Sequence, residues 1–113
     1  MKANQQQLDL LKQGVTENWN SWRLEYPGTQ PELQAVDLTG ANLGGVDLAN
    51  ADLSGADLSG ASLVGADLTS ADLNEANLTS ANVRAANSSW TNVAEAIISA
   101  EQLKLARSPR DDF

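Results

Sequence analysis

The sequence predicts an all-β solenoid with a short helical cap at each end. Three observations support this fold class: a five-residue phrase recurs from residue 36 to 100, its period fits no ordinary helix or strand, and helical patterns flank it. Self-similarity at a fixed period is typical of repeat architectures, and it outweighs the local preference of Ala and Leu for helix. At 113 residues, the chain is expected to form one small domain.

The recurring phrase reads small apolar residue, Asp or Asn, Leu, and two small or polar residues, as in 51–55. Only Ser88 and Thr91 break its two apolar positions. In a helix this period would rotate successive leucines by about 140°, and in a straight strand it would alternate them between faces. A backbone that bends equally once per repeat points every Leu at one axis. Successive coils then pair through main-chain hydrogen bonds, about 4.8 Å apart.

The phrase A-(D/N)-L-x-x, as in 51–55 and 66–70, resembles the pentapeptide repeat family. This resemblance implies a right-handed, four-sided β-helix with about 20 residues per coil, hence about three coils over residues 31–98. Residues 20 apart would then stack, and Leu63 would lie in the middle coil.

Residues 1–30 are assigned to an N-terminal helical cap. Apolar residues recur there at intervals of three or four, which places them on one helix face: Leu8, Leu11, Val15, Trp19, Trp22 and Tyr26. Gly14 interrupts the pattern, so we expect either one helix with a weak point or two short helices. Covering the open end of the solenoid is the favoured role. The alternative is a docking surface formed by Trp19, Trp22 and Arg23.

Residues 99–107 are assigned to a C-terminal helical cap. Ser99 suits the N-cap position, and Gln102 is placed to reach back to it. We expect an apolar edge to lie over the final coil, with Trp90 packed against it; the alternative is a partner site. The members of that edge are Ile98, Leu103 and Ala106. Residues 108–113 are expected to form a frayed tail.

Composition excludes several function classes. Cys and His are absent, which removes disulfides, thiol chemistry, imidazole bases and the usual zinc ligands. The net charge of −8 argues against direct binding to nucleic acid or to an anionic membrane. No apolar run approaches the roughly 20 residues of a membrane span, and the first residues lack the apolar core of a signal peptide. We expect a cytoplasmic, non-enzymatic protein without a cofactor, because a convex rod offers no concave catalytic site.

The residue before each central Leu forms the candidate interaction surface. Stacked by 20, these positions make three sides that are acidic over two coils and turn to Asn in the third. The acidic pairs are Asp37 with Asp57, Asp47 with Asp67, and Asp52 with Asp72. A turn role is the alternative, because Asp and Asn also accept hydrogen bonds from backbone amides at tight turns.

The sequence favours a non-catalytic protein-binding or scaffolding module that presents rigid acidic faces. Its partner is expected to be another protein, and the chain to be a monomer if both ends are capped. The family resemblance implies an alternative, because some members protect or inhibit DNA gyrase by mimicking duplex DNA. A solenoid of roughly 16 Å would match only about five base pairs, which opposes this alternative. Weak metal binding is the third hypothesis, since stacked carboxylates repel one another.

Overall fold

A computed structural model describes residues 4–106 of the chain. Two helices, α1 (Gln5–Lys12) and α2 (Thr16–Glu25), precede the repeats, and α3 (Ala100–Leu105) follows them. Between α2 and α3, a two-residue turn recurs every five residues. The backbone therefore changes direction once per repeat, as the sequence period requires.

Parallel single-residue bridges join successive coils. Ten of them are present in residues 4–106, each linking residues 20 apart, from Glu32 with Asp52 to Asn77 with Ile97. The prediction that coils pair through main-chain hydrogen bonds is confirmed. No extended strand is present in the described part of the chain, so the pairing consists of single-residue bridges. The physical reason is the turn itself, which leaves only one paired residue between consecutive corners.

The leucine columns fill the axis of the coil. From Leu33 to Leu78, the central Leu of every repeat is at most 3% exposed, and Leu63 in the middle is fully buried. The small residue two positions earlier is buried in most repeats, which lets the backbone close around the leucines. Burial of each Leu contributes about 1.5–3 kcal/mol relative to exposure, so the core is narrow but repeated.

Each corner places the fifth residue of the repeat in the left-handed region. The φ angles at these corners run from 56° at Ala35 to 70° at Gly55. Glycine adopts this conformation without strain, whereas the corners at Ala35, Asn50 and Ser70, and all those from residue 75 to residue 95, use residues with a Cβ. The left-handed conformation costs such residues roughly 1–2 kcal/mol each, a cost that the repeated core and bridges offset.

The N-terminal region forms two helices, one of the two alternatives that the sequence left open. Gly14 lies between them with a φ of 72°, a conformation that ends α1. Leu11 and Trp19 are buried against the first coil. Val15 and Tyr26, which the helical pattern placed on the same face, are about half exposed because the chain breaks and turns beside them.

At the C-terminal end, α3 begins with the predicted capping box. The Ser99 side-chain oxygen accepts a hydrogen bond from the Gln102 backbone N–H, and the Gln102 side-chain oxygen accepts one from the Ser99 backbone N–H. Trp90, however, is 68% exposed and Leu103 is 48% exposed, so the expected apolar cover is incomplete. A helix of only six residues is too short to bury both. Residues 107–113, the end of the assigned cap and the expected tail, lie outside the described residues.

Candidate binding surface

The acidic residues hold the corners of the coil. One oxygen of Asp57 accepts from the Ser59 backbone N–H at 3.0 Å and from the Ser59 hydroxyl at 2.6 Å. Asp67 makes the same two bonds with Thr69. Asn77 accepts from Thr79 in the same way, so the acceptor oxygen, rather than the charge, is what the corner needs. The turn role that the sequence offered as an alternative is thus present in the structure.

The coil brings all six predicted acidic site residues into three stacked pairs. Bridges join Asp37 to Asp57, Asp47 to Asp67, and Asp52 to Asp72. Glu32 precedes Asp52 in one of these stacks, and Asn77, Asn87 and Asn92 continue the three stacks without charge towards the C-terminal end. The negative charge of these stacks therefore lies towards the end of the coil that α1 and α2 cover and ends at Asp57, Asp67 and Asp72.

Three of these carboxyls have a lowered pKa. Hydrogen bonds from the Thr39 hydroxyl and backbone lower the pKa of Asp37. Bonds from the Ser59 hydroxyl and backbone likewise lower the pKa of Asp57, against the repulsive charge of Asp37. Burial acts to raise the pKa of Asp52, but bonds from Ser54 and Gln34 outweigh it and leave that pKa lowered. These groups are ionised at neutral pH, so the turn role and the negative surface coexist.

The side chains of Trp19 and Arg23 pack against the first coil and donate hydrogen bonds to it. Trp19 is 1% exposed, and its indole N–H donates to the Asp47 carbonyl at 2.7 Å. Arg23 is 8% exposed and donates to the carbonyls of Asp47 and Ala49, at 3.0 and 2.8 Å. Its guanidinium also lies 3.8 Å from the Asp47 carboxylate. Trp22 is only partly buried, with its ring centroid 5.1 Å from that of Trp19. The burial of Trp19 and Arg23 favours the capping hypothesis over direct docking by these two residues.

Several polar side chains that the sequence did not single out complete this cap. Asn20 accepts from the Asp47 N–H at 2.8 Å, and Gln7 accepts from the Glu32 N–H at 2.6 Å. Thr16 donates to the Gly44 carbonyl at 2.8 Å. These side chains stand where the backbone of a preceding coil would stand. Polar residues on the inner face of a helical cap carry no periodic signal, so the sequence pattern does not reveal them.

No metal centre is evident in residues 4–106. No group of three or more acidic side chains is arranged there to hold a metal ion. Turn hydrogen bonds hold each of these Asp side chains to its own corner, and the lowered pKa values of Asp37, Asp52 and Asp57 are opposite to what a general acid requires.

Comparison with known proteins identifies the repeats. The family model described as pentapeptide repeats matches eight copies, over residues 32–69 and 51–89. The chain belongs to the pentapeptide repeat family. No curated protein matches the sequence.

Solved pentapeptide repeat proteins share the coil. A pentapeptide repeat protein from Nostoc is 44% identical over 57% of this chain and 53% of its own, with a TM-score of 0.56. One from the thylakoid lumen of Arabidopsis thaliana is 36% identical over 57% of this chain and 44% of its own, also with a TM-score of 0.56. The chain thus spans about half the length of these two pentapeptide repeat proteins.

No helix in residues 4–106 is long and apolar enough to cross a membrane.

Proposed function

We propose that this pentapeptide repeat protein is a non-catalytic binding module that presents its three acidic stacks to a basic surface of another protein. The observation that carries the proposal is the stacking of six Asp residues in three pairs on a rigid coil. A right-handed, four-sided coil, with one side for each of the four turns in 20 residues, is the geometry that we propose for this scaffold.

The acidic side chains are held in place before a partner binds. The carboxylates are fixed by bonds to their own turns, as in the Asp57–Ser59 and Asp67–Thr69 pairs, so little side-chain entropy remains to be lost on binding. Stacked like charges about 5 Å apart repel, and a basic partner would relieve that repulsion. Electrostatic complementarity of this kind mainly supplies specificity and a fast association rate.

Of the alternatives, DNA mimicry is not carried forward. A DNA mimic needs charge along its whole length, whereas each of the three acidic stacks changes from Asp to Asn towards the C-terminal end. Metal binding is not carried forward either, because no suitable ligand cluster lies in the described part of the chain.

A pair of matched variants tests the proposal. The double variant Asp57→Asn/Asp67→Asn removes two charges, and the retained amide oxygen still accepts the turn bonds, as Asn77 and Asn87 do. The control Asn77→Asp/Asn87→Asp adds two charges in the same two stacks. Both are used as bait beside the wild-type protein in pulldowns from the native host, with a salt gradient for elution.

We expect one or more basic proteins to be retained by the wild type and by the control, to be lost from Asp57→Asn/Asp67→Asn, and to elute with rising salt. Equal retention of the same proteins by all three baits, with no dependence on salt, would contradict the proposal.

A further inference from the structure

At the N-terminal edge of the coil, a defined set of main-chain N–H and carbonyl groups has no preceding coil to form hydrogen bonds with. Within the coil, the N–H of Asp57 donates to the Val36 carbonyl at 2.9 Å, and the Asp57 carbonyl accepts from Leu38 at 2.8 Å. The same two bonds recur on each later side, because every coil has a preceding coil below it. The first coil has none, so the N–H and carbonyl of Glu32, Asp37, Asn42 and Asp47 need other partners.

The helical cap supplies partners on two sides only. Gln7 accepts from the Glu32 N–H, and the Asn4 N–H donates to the Glu32 carbonyl at 2.7 Å. On the Asp47 side, Asn20 accepts from the N–H, and Trp19 and Arg23 donate to the carbonyl. Both groups on each of these two sides are thus satisfied by residues of the cap.

The other two sides are open. Within residues 4–106, the main-chain N–H and carbonyl of Asp37 and of Asn42 have no protein partner. Both residues are exposed, and a groove of about 220 Å³ lies beside them. Leu11 and Leu38 form its apolar part, and Lys12 lies on its helical wall. An unpaired edge of this kind is a template for an added strand.

We propose that this open edge, residues 37–42, binds an extended segment of a partner protein in parallel register, with a Lys or Arg stacked beneath Asp37. The added segment would continue the coil by one repeat-like step, a form of β-augmentation. This inference rests on the proposed function and deepens it, because it names the place and form in which a basic partner is recognised.

Charge selects the occupant. The Asp37 carboxylate stacks on that of Asp57, so a residue in register beneath Asp37 lies about 4.8 Å from a column of two negative charges. A basic side chain there offsets the repulsion, whereas an acidic one adds to it. Lys12 of α1 also faces this groove and carries a positive charge. We therefore expect the part of the bound segment next to Lys12 to contain no basic residue.

The test uses the full chain and a blocked probe peptide, Ala-Lys-Leu-Ser-Gly-Ala-Asn. In register, its Lys lies beneath Asp37 and its Asn beneath Asn42. The peptide Leu N–H then donates to the Asp37 carbonyl, as Leu38 donates to Asp57 within the coil. Two control peptides are made, one with Glu in place of Lys and one with N-methyl-Leu. Affinity is measured by isothermal titration, and the contact site by amide NMR shifts.

Two variants of the protein provide the matched pair. Asn42→Pro removes the open N–H, whereas Asn42→Ala keeps it, and both lose the same weak side-chain bond to Gly44 at 3.4 Å. We expect the probe to bind Asn42→Ala like the wild type. We expect binding about tenfold weaker with Asn42→Pro, with the N-methyl peptide and with the Glu peptide. Shifts should cluster at residues 37–42.

The N-methyl peptide keeps the test decisive if Asn42→Pro fails to fold. Absence of probe binding to the wild type, or equal binding of the N-methyl peptide, would overturn the open-edge inference. Binding with shifts confined to Asp52 and Asp72 would overturn it too, while leaving the proposed function intact. Failure of the proposed function would instead show as the salt-independent, variant-independent pulldown described above.

Discussion

The two ends of the coil solve the same problem in different ways. At the N-terminal end, α1 and α2 bury Trp19 and use side chains of several types in place of a missing coil. At the C-terminal end, α3 has no buried residue. There, the Gln102 side chain donates to the carbonyls of Leu78 and Ala81, and the Leu105 carbonyl accepts from the Ala85 N–H.

Closing the end of a coil therefore has two separable parts. One part is main-chain hydrogen bonding, which both ends achieve at least in part, since a buried unpaired group costs about 1–3 kcal/mol. The other is apolar cover, which the N-terminal end achieves and the C-terminal end does not: Trp90 and Ile97 are 68% and 58% exposed. We therefore expect the N-terminal cap to contribute more to stability than the C-terminal one.

The largest effect is expected in the middle coil, on which both ends depend. Leu63→Asp places a charge in a fully buried column, and we expect it to abolish cooperative thermal unfolding. Val64→Asp, at the neighbouring exposed position, is the matched control and should leave the transition within about 1 kcal/mol of the wild type. Circular dichroism melting curves measure both. A soluble Leu63→Asp variant with an unchanged curve would refute the shared axial core.

A tryptophan truncation at each end tests the comparison directly. Trp19→Ala is expected to lower the free energy of unfolding by about 3–5 kcal/mol, because it empties a buried site. Trp90→Ala is expected to lower it by about 1 kcal/mol or less, since most of that ring faces solvent. Urea unfolding gives both values. Equal losses of unfolding free energy from the two truncations would contradict the expectation that the N-terminal end has the better apolar cover.

The hydrogen-bonding part is tested by removing one donor at each end. Arg23→Leu leaves the Asp47 and Ala49 carbonyls without the guanidinium, and we expect a loss of about 1.5–3 kcal/mol. Gln102→Ala removes the bonds to Leu78 and Ala81 together with the capping-box bond from the Ser99 N–H, and a loss of about 1–2 kcal/mol is expected at this more open end. Urea unfolding measures both losses of unfolding free energy. A larger loss from Gln102→Ala than from Arg23→Leu would reverse the ranking of the ends.

The smallest effect concerns pH. The pKa values of Asp37, Asp52 and Asp57 are lowered in the folded protein, so their contribution to stability is complete above the unfolded pKa of about 3.9. That contribution is lost as the pH falls through the folded values. We expect the melting temperature to fall from pH 6 to pH 3, and to fall less in the Asp37→Asn/Asp52→Asn/Asp57→Asn variant. Parallel curves for the two proteins would show that these carboxyls do not couple folding to pH.

Much of the coil was predictable because its signal repeats. The positions of Leu38 to Leu78 gave the core columns, and the Asp and Asn before them gave the turn acceptors. The capping box of Ser99 and Gln102 was also readable, since it depends on residues only three apart. The packing of Trp90 was not predicted correctly, because α3 is too short to cover that ring.

The period, the buried columns and the acidic positions follow directly from the order of the residues, because each is a local rule copied many times along the chain. The way in which the ends close depends instead on contacts between distant parts of the chain. Arg23 meets the carbonyls of Asp47 and Ala49 through contacts 24 and 26 residues apart in sequence, and these occur once. The open edge at residues 37–42 has the same origin, because it is what remains after the two helices have covered the other sides of the first coil.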